Sequence, residues 1–174
     1  MKPLRLPATA VLIALLYCTA SAAQVRTVPS VDLKRYTGTW YEIARYPNFF
    51  QNGCADSTAT YTLRPDGEID VVNRCVKGPE KKPAEAKGRA WPVDPADTAK
   101  LKVSFFWPFR SDYWIIDLGQ SYEYAVVGTP DREYLWILSR TPVMAADTYA
   151  GILERLARQG FGSGTLIKSS AGLP

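Results

Sequence analysis

Gly38-Thr39-Trp40-Tyr41-Glu42-Ile43-Ala44-Arg45-Tyr46-Pro47 decides the reading of this chain. A small residue and an indole open a run in which bulky and small side chains alternate, soon after a short polar turn. Successive side chains of an extended chain point to opposite faces. The run therefore reads as a strand entering the floor of a small barrel, with an aromatic plug at its base. About a hundred residues later, Trp136-Ile137-Leu138-Ser139-Arg140 ends in an Arg that can meet this plug. The pair points toward enclosing an apolar ligand and away from catalysis.

The 174 residues suffice for one domain with a core, or a core plus a cavity. A hydrophobic content of 47% argues against disorder. Residues 1–23 read as a signal peptide: Lys2 and Arg5 are the charged start, Ala8 to Tyr17 the apolar core, and Ala20-Ser21-Ala22 the small residues before the cut. Cys18 raises a lipid anchor as the alternative, but the large Tyr17 precedes it where a small residue is wanted, so ordinary export is the expectation. Residues 24–174 then form a single domain. Its formal charge falls from +4 by the two units of Lys2 and Arg5 to +2. No Lys/Arg run resembles a nucleic-acid footprint.

The chain has no His. This removes Ser-His-Asp triads, Cys-His nucleophiles and His-ligated zinc. No metal site is expected. Cys54 and Cys75 remain after Cys18, and an even count in an exported chain favours a disulfide.

Strands are expected at about 38–47, 55–64, 68–76, 84–91, 99–107, 113–118, 122–128 and 133–140, separated by turn residues such as Pro65-Asp66-Gly67. The spacing predicts an all-β fold, an eight-stranded antiparallel up-and-down barrel. The period changes at 146–160, where Tyr149, Ile152, Leu153 and Leu156 form one apolar helical stripe ended by Gly160. Strand eight is apolar on both faces, so the helix is expected to cover its outer side. A short strand at 165–168 follows, and Ser30 and Asp32 are placed to cap a single helical turn over 33–36.

Alternating strands place the connections after strands one, three, five and seven at one rim, and Trp40 and Arg140 together at the floor. A guanidinium stacked on an indole is worth roughly 0.5–2 kcal/mol. Cys54 and Cys75 share the rim. The register from the Asp66-Gly67 turn puts Ser57 opposite Cys75, so a bridge requires a bulge or a loop excursion.

These segments resemble the lipocalin family, in its bacterial, apolipoprotein D-like branch. The stretch from Gly38 to Arg45 is similar to the first family motif, and Tyr134 to Pro142 to the third, with its closing Arg140. Gly38, Trp40 and Arg140 are then the barrel-base set. The resemblance spans about residues 31–168. The second motif, a T-D-Y type turn, is degraded here to Leu118-Gly119-Gln120-Ser121-Tyr122, which withdraws support for receptor contacts and leaves the barrel intact. The resemblance implies a calyx binding fatty acids, lysophospholipids or similar lipids for transport or storage with no cofactor, in the periplasm or at the outer membrane, as a monomer or homodimer.

If Trp40 points inward, Glu42, Ala44 and Tyr46 share its face. Tyr61, Val103, Phe105, Tyr113 and Trp136 are the other candidates for lining the cavity. Six aromatics between Phe105 and Trp114, Trp107 and Phe109 among them, crowd one expected turn, and Phe49 and Phe50 lie on the adjacent rim loop. Arg110, Lys77, Lys81, Lys82 and Arg132 add cationic charge there, against Glu80, Asp112 and Asp131. A greasy entrance with a positive edge suits an amphiphile with an anionic head. The rival readings are an aromatic rim that docks on a membrane or on a second copy, a solid-cored structural or stress protein of the envelope, a pigment or haem carrier, and a His-free enzyme built on Glu42.

Overall fold

The computed structural model describes residues 24–169; the expected signal peptide, with Tyr17 and Cys18, lies outside them, as do 170–174. A helical turn, α1 (Leu33–Tyr36), leads into eight strands: β1 (Gly38–Arg45), β2 (Cys54–Leu63), β3 (Ile69–Lys77), β4 (Lys82–Pro92), β5 (Lys100–Phe106), β6 (Phe109–Leu118), β7 (Tyr124–Gly128) and β8 (Leu135–Ser139). Helix α2 (Ala146–Arg158) and a two-residue β9 (Ile167–Lys168) complete the chain. Each strand pairs antiparallel with the next, and β1 pairs with both β2 and β8, so the sheet closes as an eight-stranded barrel. Closure removes the exposed sheet edges that an open meander would leave.

The closure is incomplete near the rim. β1 meets β2 only over Gly38–Tyr41, against Thr58–Tyr61. Further up, β9 takes that edge, with Ala44 opposite Lys168 and Arg45 opposite Ile167.

Two apolar clusters divide the molecule. One fills the barrel around Trp40, Tyr61, Ile69, Val71, Leu101, Tyr113, Ile115 and Leu138. The other lies between barrel and α2, where Tyr149, Ile152 and Leu156 meet Leu135, Ile137, Ile43 and Val126. Helix α2 thus covers the outer face of β8, as the two-sided apolarity of that strand requires. Arg155 adds an ion pair across the same interface, its Nε 2.7 Å from Asp117 Oδ2.

Bulges set the parity of the strands. In β2 the register slips between Ala55 and Thr58, with Asp56 at φ 51°. The extra residue brings Cys54 to Cys75, and the two are bridged. In β1 the pairing with β8 slips between Glu42 and Ala44. Two consecutive side chains, Ile43 and Ala44, then lie in the helix-side cluster.

Candidate functional site

The site is built from the floor up. Asp32 caps α1 by accepting from the backbone N–H groups of Lys34 and Arg35. The turn so fixed delivers Tyr36 into the base of the barrel, fully buried, with its ring 5.1 Å from that of Trp40. The Trp40 indole N–H donates to the Tyr36 carbonyl at 2.9 Å. The Arg140 guanidinium carbon lies 3.7 Å from the centre of the Trp40 ring. Its three nitrogens donate to the carbonyls of Tyr122 (3.3 Å), Thr39 (3.2 Å) and Arg35 (2.7 Å). One side chain thereby ties together α1, β1 and the β6–β7 turn, the degraded second motif. Gly38 stands at φ 96°, where L side chains are strained, and a Cβ there would lie 3.2 Å from Arg140 Nη1.

Above this floor the interior is packed. The hydroxyls of Tyr36 and Tyr61 each lie 2.8 Å from that of Tyr113, forming a buried row of three. Burial pushes Tyr61 up to about 12, and burial first, then the neighbouring tyrosines, pushes Tyr36 and Tyr113 well above the usual phenol value. All three therefore remain neutral hydroxyls at ordinary pH.

The upper half differs. Ala59, Val103, Phe105 and Trp136 pack on the interior cluster yet are only half-buried, so solvent reaches them from the rim. On the neighbouring wall, alternation places Ala84, Ala86, Gly88 and Ala90 of β4 on one face, opposite Cys75, Asn73, Val71 and Ile69 of β3. A strand lined inward by such small residues leaves room. Phe105 takes part of it, since a Cβ on Gly88 would come within 2.8 Å of the Phe105 ring. The expected calyx is thus a shallow cup over a solid base. Tyr36 is the reason, entering from α1 rather than from a strand. Two open clefts lie elsewhere. One of about 420 Å³ sits beside α1 and the floor end of β2, and one of about 320 Å³ lies along β2–β4 beside the disulfide. Neither is an enclosed calyx.

Of the candidate lining residues, Glu42, Tyr61, Val103, Phe105, Tyr113 and Trp136 face the interior, but Tyr61 and Tyr113 belong to the packed base. Ala44 and Tyr46 do not face in. The β1 bulge turns both to the helix side, where the Tyr46 hydroxyl donates to the Gly162 carbonyl at 2.6 Å. Arg45 takes the vacated inward position. It is 5% exposed, Nη1 donates to Glu42 Oε1 at 2.6 Å, and Nη2 donates to the carbonyls of Gln51 and Cys54. Those carbonyls lie where β2 has parted from β1, so the guanidinium bridges the open seam. Gln51 completes the network, giving a hydrogen bond to Glu42 Oε2 (2.7 Å) and taking one from the Trp136 indole (2.8 Å). Both carboxylate oxygens of the inward Glu42 are thus partnered. Arg45 and Gln51 were missed because a bulge leaves no mark on simple alternation. The small face of β4 was missed although its period of two stands in the sequence.

At the rim, Phe50 stacks on Tyr134 at 5.8 Å and leans on Trp136 at 6.2 Å, while Phe49 is exposed. The β5–β6 connection is only Trp107-Pro108, because Phe106 already pairs with Phe109. The expected crowd of six aromatics therefore separates. Phe106, Trp107 and Phe109 form an exposed tip, Phe105 and Tyr113 point inside, and Trp114 packs on the helix side. Arg110 is exposed beside this tip. The positive edge is thinner than expected. Lys82 pairs with Glu80 at 2.8 Å, and Arg132 turns away, its Nε donating to the Gln159 carbonyl at 2.8 Å.

This architecture, a closed eight-stranded barrel with a Trp–Arg base and one flanking helix, defines a class. The model of the lipocalin-like domain matches residues 31–171, and the chain belongs to the lipocalin family. It is 44% identical over 143 residues to the outer membrane lipoprotein Blc of Citrobacter freundii, covering 82% of this chain and 81% of that one. It is 40% identical over 156 residues to temperature-induced lipocalin-1 of Arabidopsis thaliana, covering 84% and 82%. Mouse apolipoprotein D is 34% identical over 140 residues, covering 74% of this chain and 71% of its own. Among solved structures, insecticyanin of the tobacco hornworm Manduca sexta superposes with a TM-score of 0.69 at 20% identity, covering 86% of each chain.

Proposed function

We propose that this protein binds one small hydrophobic or amphiphilic molecule, a fatty acid or lysophospholipid, with its chain in the upper cup of the barrel, and carries or stores it in the cell envelope. The observation that carries this reading is the apolar, solvent-reached wall made by Ala59, Val103, Phe105 and the small face of β4 above the tyrosine floor. Each methylene buried there contributes about 0.8 kcal/mol. Ordering the ligand offsets much of that, so the rest of a longer chain must lie against the exposed rim aromatics. The envelope location rests on relatives named as outer membrane lipoproteins.

Native mass spectrometry of protein made in its own host tests this reading, since a co-purified lipid mass is expected. Filling the cup with Ala59→Phe should weaken displacement of a fluorescent fatty-chain probe by about tenfold at unchanged stability. Absence of any lipid, together with displacement indifferent to Ala59→Phe, would refute the carrier reading in favour of a structural role.

A second reading has its own observation. Phe106, Trp107 and Phe109 are 77%, 79% and 77% exposed on one hairpin tip. Such a patch is suited to a bilayer surface. Flotation with anionic vesicles should fall when Trp107→Ser and Phe109→Ser are combined. Unchanged flotation would leave the tip without this role.

A further inference from the structure

We propose that Arg45, Ser57 and Asn73 form a subsite for an uncharged hydrogen-bonding group, such as an amide or alcohol, carried at the end of the ligand's apolar chain. The proposal rests on the carrier reading and narrows its ligand class to amphiphiles with an uncharged polar end, ionised fatty acids being the weaker ligands. Among the described residues four buried side-chain atoms lack a partner: Tyr149 Oη, which lies on the helix side of the barrel, and the other three, Arg45 Nε, Ser57 Oγ and Asn73 Oδ1. Arg45 is 5% exposed and Ser57 7%, so bulk water does not serve them. Buried polar atoms are rarely left so, and each one costs stability until a ligand or bound water meets it.

Register gathers the three on one stretch of wall. Ala59 pairs with Trp40 of β1 on one side and with Asn73 of β3 on the other. Ser57 and Glu42 each lie two residues nearer the rim than Ala59 and Trp40, and so on the same inward face. Arg45 reaches Glu42 there. Across the barrel the wall is apolar, with Val103 and Phe105. A chain lying against the apolar side presents its end group to the polar one.

Charge decides what that group is. Arg45 is already matched by Glu42, and both carboxylate oxygens of Glu42 are engaged, by Arg45 and Gln51. The inward positions of β1, β2 and β3 carry no other charge. A carboxylate placed there would be a second anion beside Glu42, buried without a cation of its own, which is costly. A neutral group instead meets two donors, Arg45 Nε–H and the Ser57 hydroxyl, and one acceptor, Asn73 Oδ1. A primary amide offers both a donor and an acceptor, an alcohol likewise.

The test is displacement of a fluorescent fatty-chain probe by tetradecanamide, tetradecanol and tetradecanoate at about pH 8, where the acid is ionised. The amide and alcohol should bind about tenfold tighter than the acid. In Ser57→Ala/Asn73→Val the advantage should shrink to about twofold or less, with near-ultraviolet circular dichroism confirming the fold. If the acid binds as tightly as the amide, the inference is overturned while the carrier reading stands. A preference that survives in the double variant overturns the placement. If none of the three displaces the probe, the carrier reading fails and this inference with it. Should the variant not fold, the comparison on the wild-type chain still decides.

Discussion

Removing the Arg140 side chain is the sharpest test of how the barrel is closed at its base. Arg140→Ala deletes the stack on Trp40, 3.7 Å from the ring centre. It also deletes donors to three backbone carbonyls, on Arg35, Thr39 and Tyr122. The stack is worth roughly 0.5–2 kcal/mol. Each hydrogen bond is worth about 0.5–1.5 kcal/mol net, and because solvent reaches Arg140 the lower end applies to all. The sum is about 2 kcal/mol. With a urea slope of about 2 kcal/mol per molar, the midpoint should fall by about 1 M at unchanged slope. Far-ultraviolet circular dichroism is the right probe, because Trp40 fluorescence responds to loss of the stack itself. Arg140→Lys should recover less than half the loss, since one ammonium cannot donate to three carbonyls on different segments. A loss below about 1 kcal/mol, or a lysine variant equal to wild type, would show that the base is held by Trp40 and Tyr36 packing alone.

The tyrosine row gives a pH dependence of definite sign. Because Tyr36, Tyr61 and Tyr113 titrate higher folded than unfolded, their stabilisation is complete below about pH 10 and is lost as pH rises through the folded values. Stability should fall by up to about 1.4 kcal/mol per pH unit for each of them above that point, and tyrosinate absorbance should show them ionising only with unfolding. Ionisation of all tyrosines in a still-folded barrel would contradict their burial. Cys54→Ala/Cys75→Ala opens a loop closed over a separation of 21 residues and should cost about 3 kcal/mol by urea denaturation. Ile152→Ala empties a fully buried position under α2 and should cost about 2–5 kcal/mol. The same variant should leave probe affinity within about twofold, because Ile152 faces the outside of the barrel; a larger change would place the ligand between barrel and helix.

Much of this was legible along the chain. The alternation of apolar residues marked eight strands, and the helical stripe from Tyr149 to Leu156 marked the cover for β8. That a bulge or a loop excursion must bring the cysteines together followed from counting residues between the Asp66-Gly67 turn and the cysteines, and the structure has the bulge, between Ala55 and Thr58 of β2. The base pair of Trp40 and Arg140 followed from up-and-down connectivity alone. What escaped was local and short. A single extra residue in β1 moved Ala44 and Tyr46 out and Arg45 in, and a two-residue turn at Trp107-Pro108 dispersed the rim aromatics.

By itself, then, the sequence determined the number of strands, their order, the outer helix and the sealed end, because periodicity and turn residues act over a few positions and strand order follows from short connections. Only the tertiary structure decided how deep the open space runs and which polar groups face it. Tyr36 fills the barrel from outside the strand pattern, and Arg45 fills the seam where β1 and β2 part. Both outcomes depend on where separate segments meet in space, and no local period encodes that.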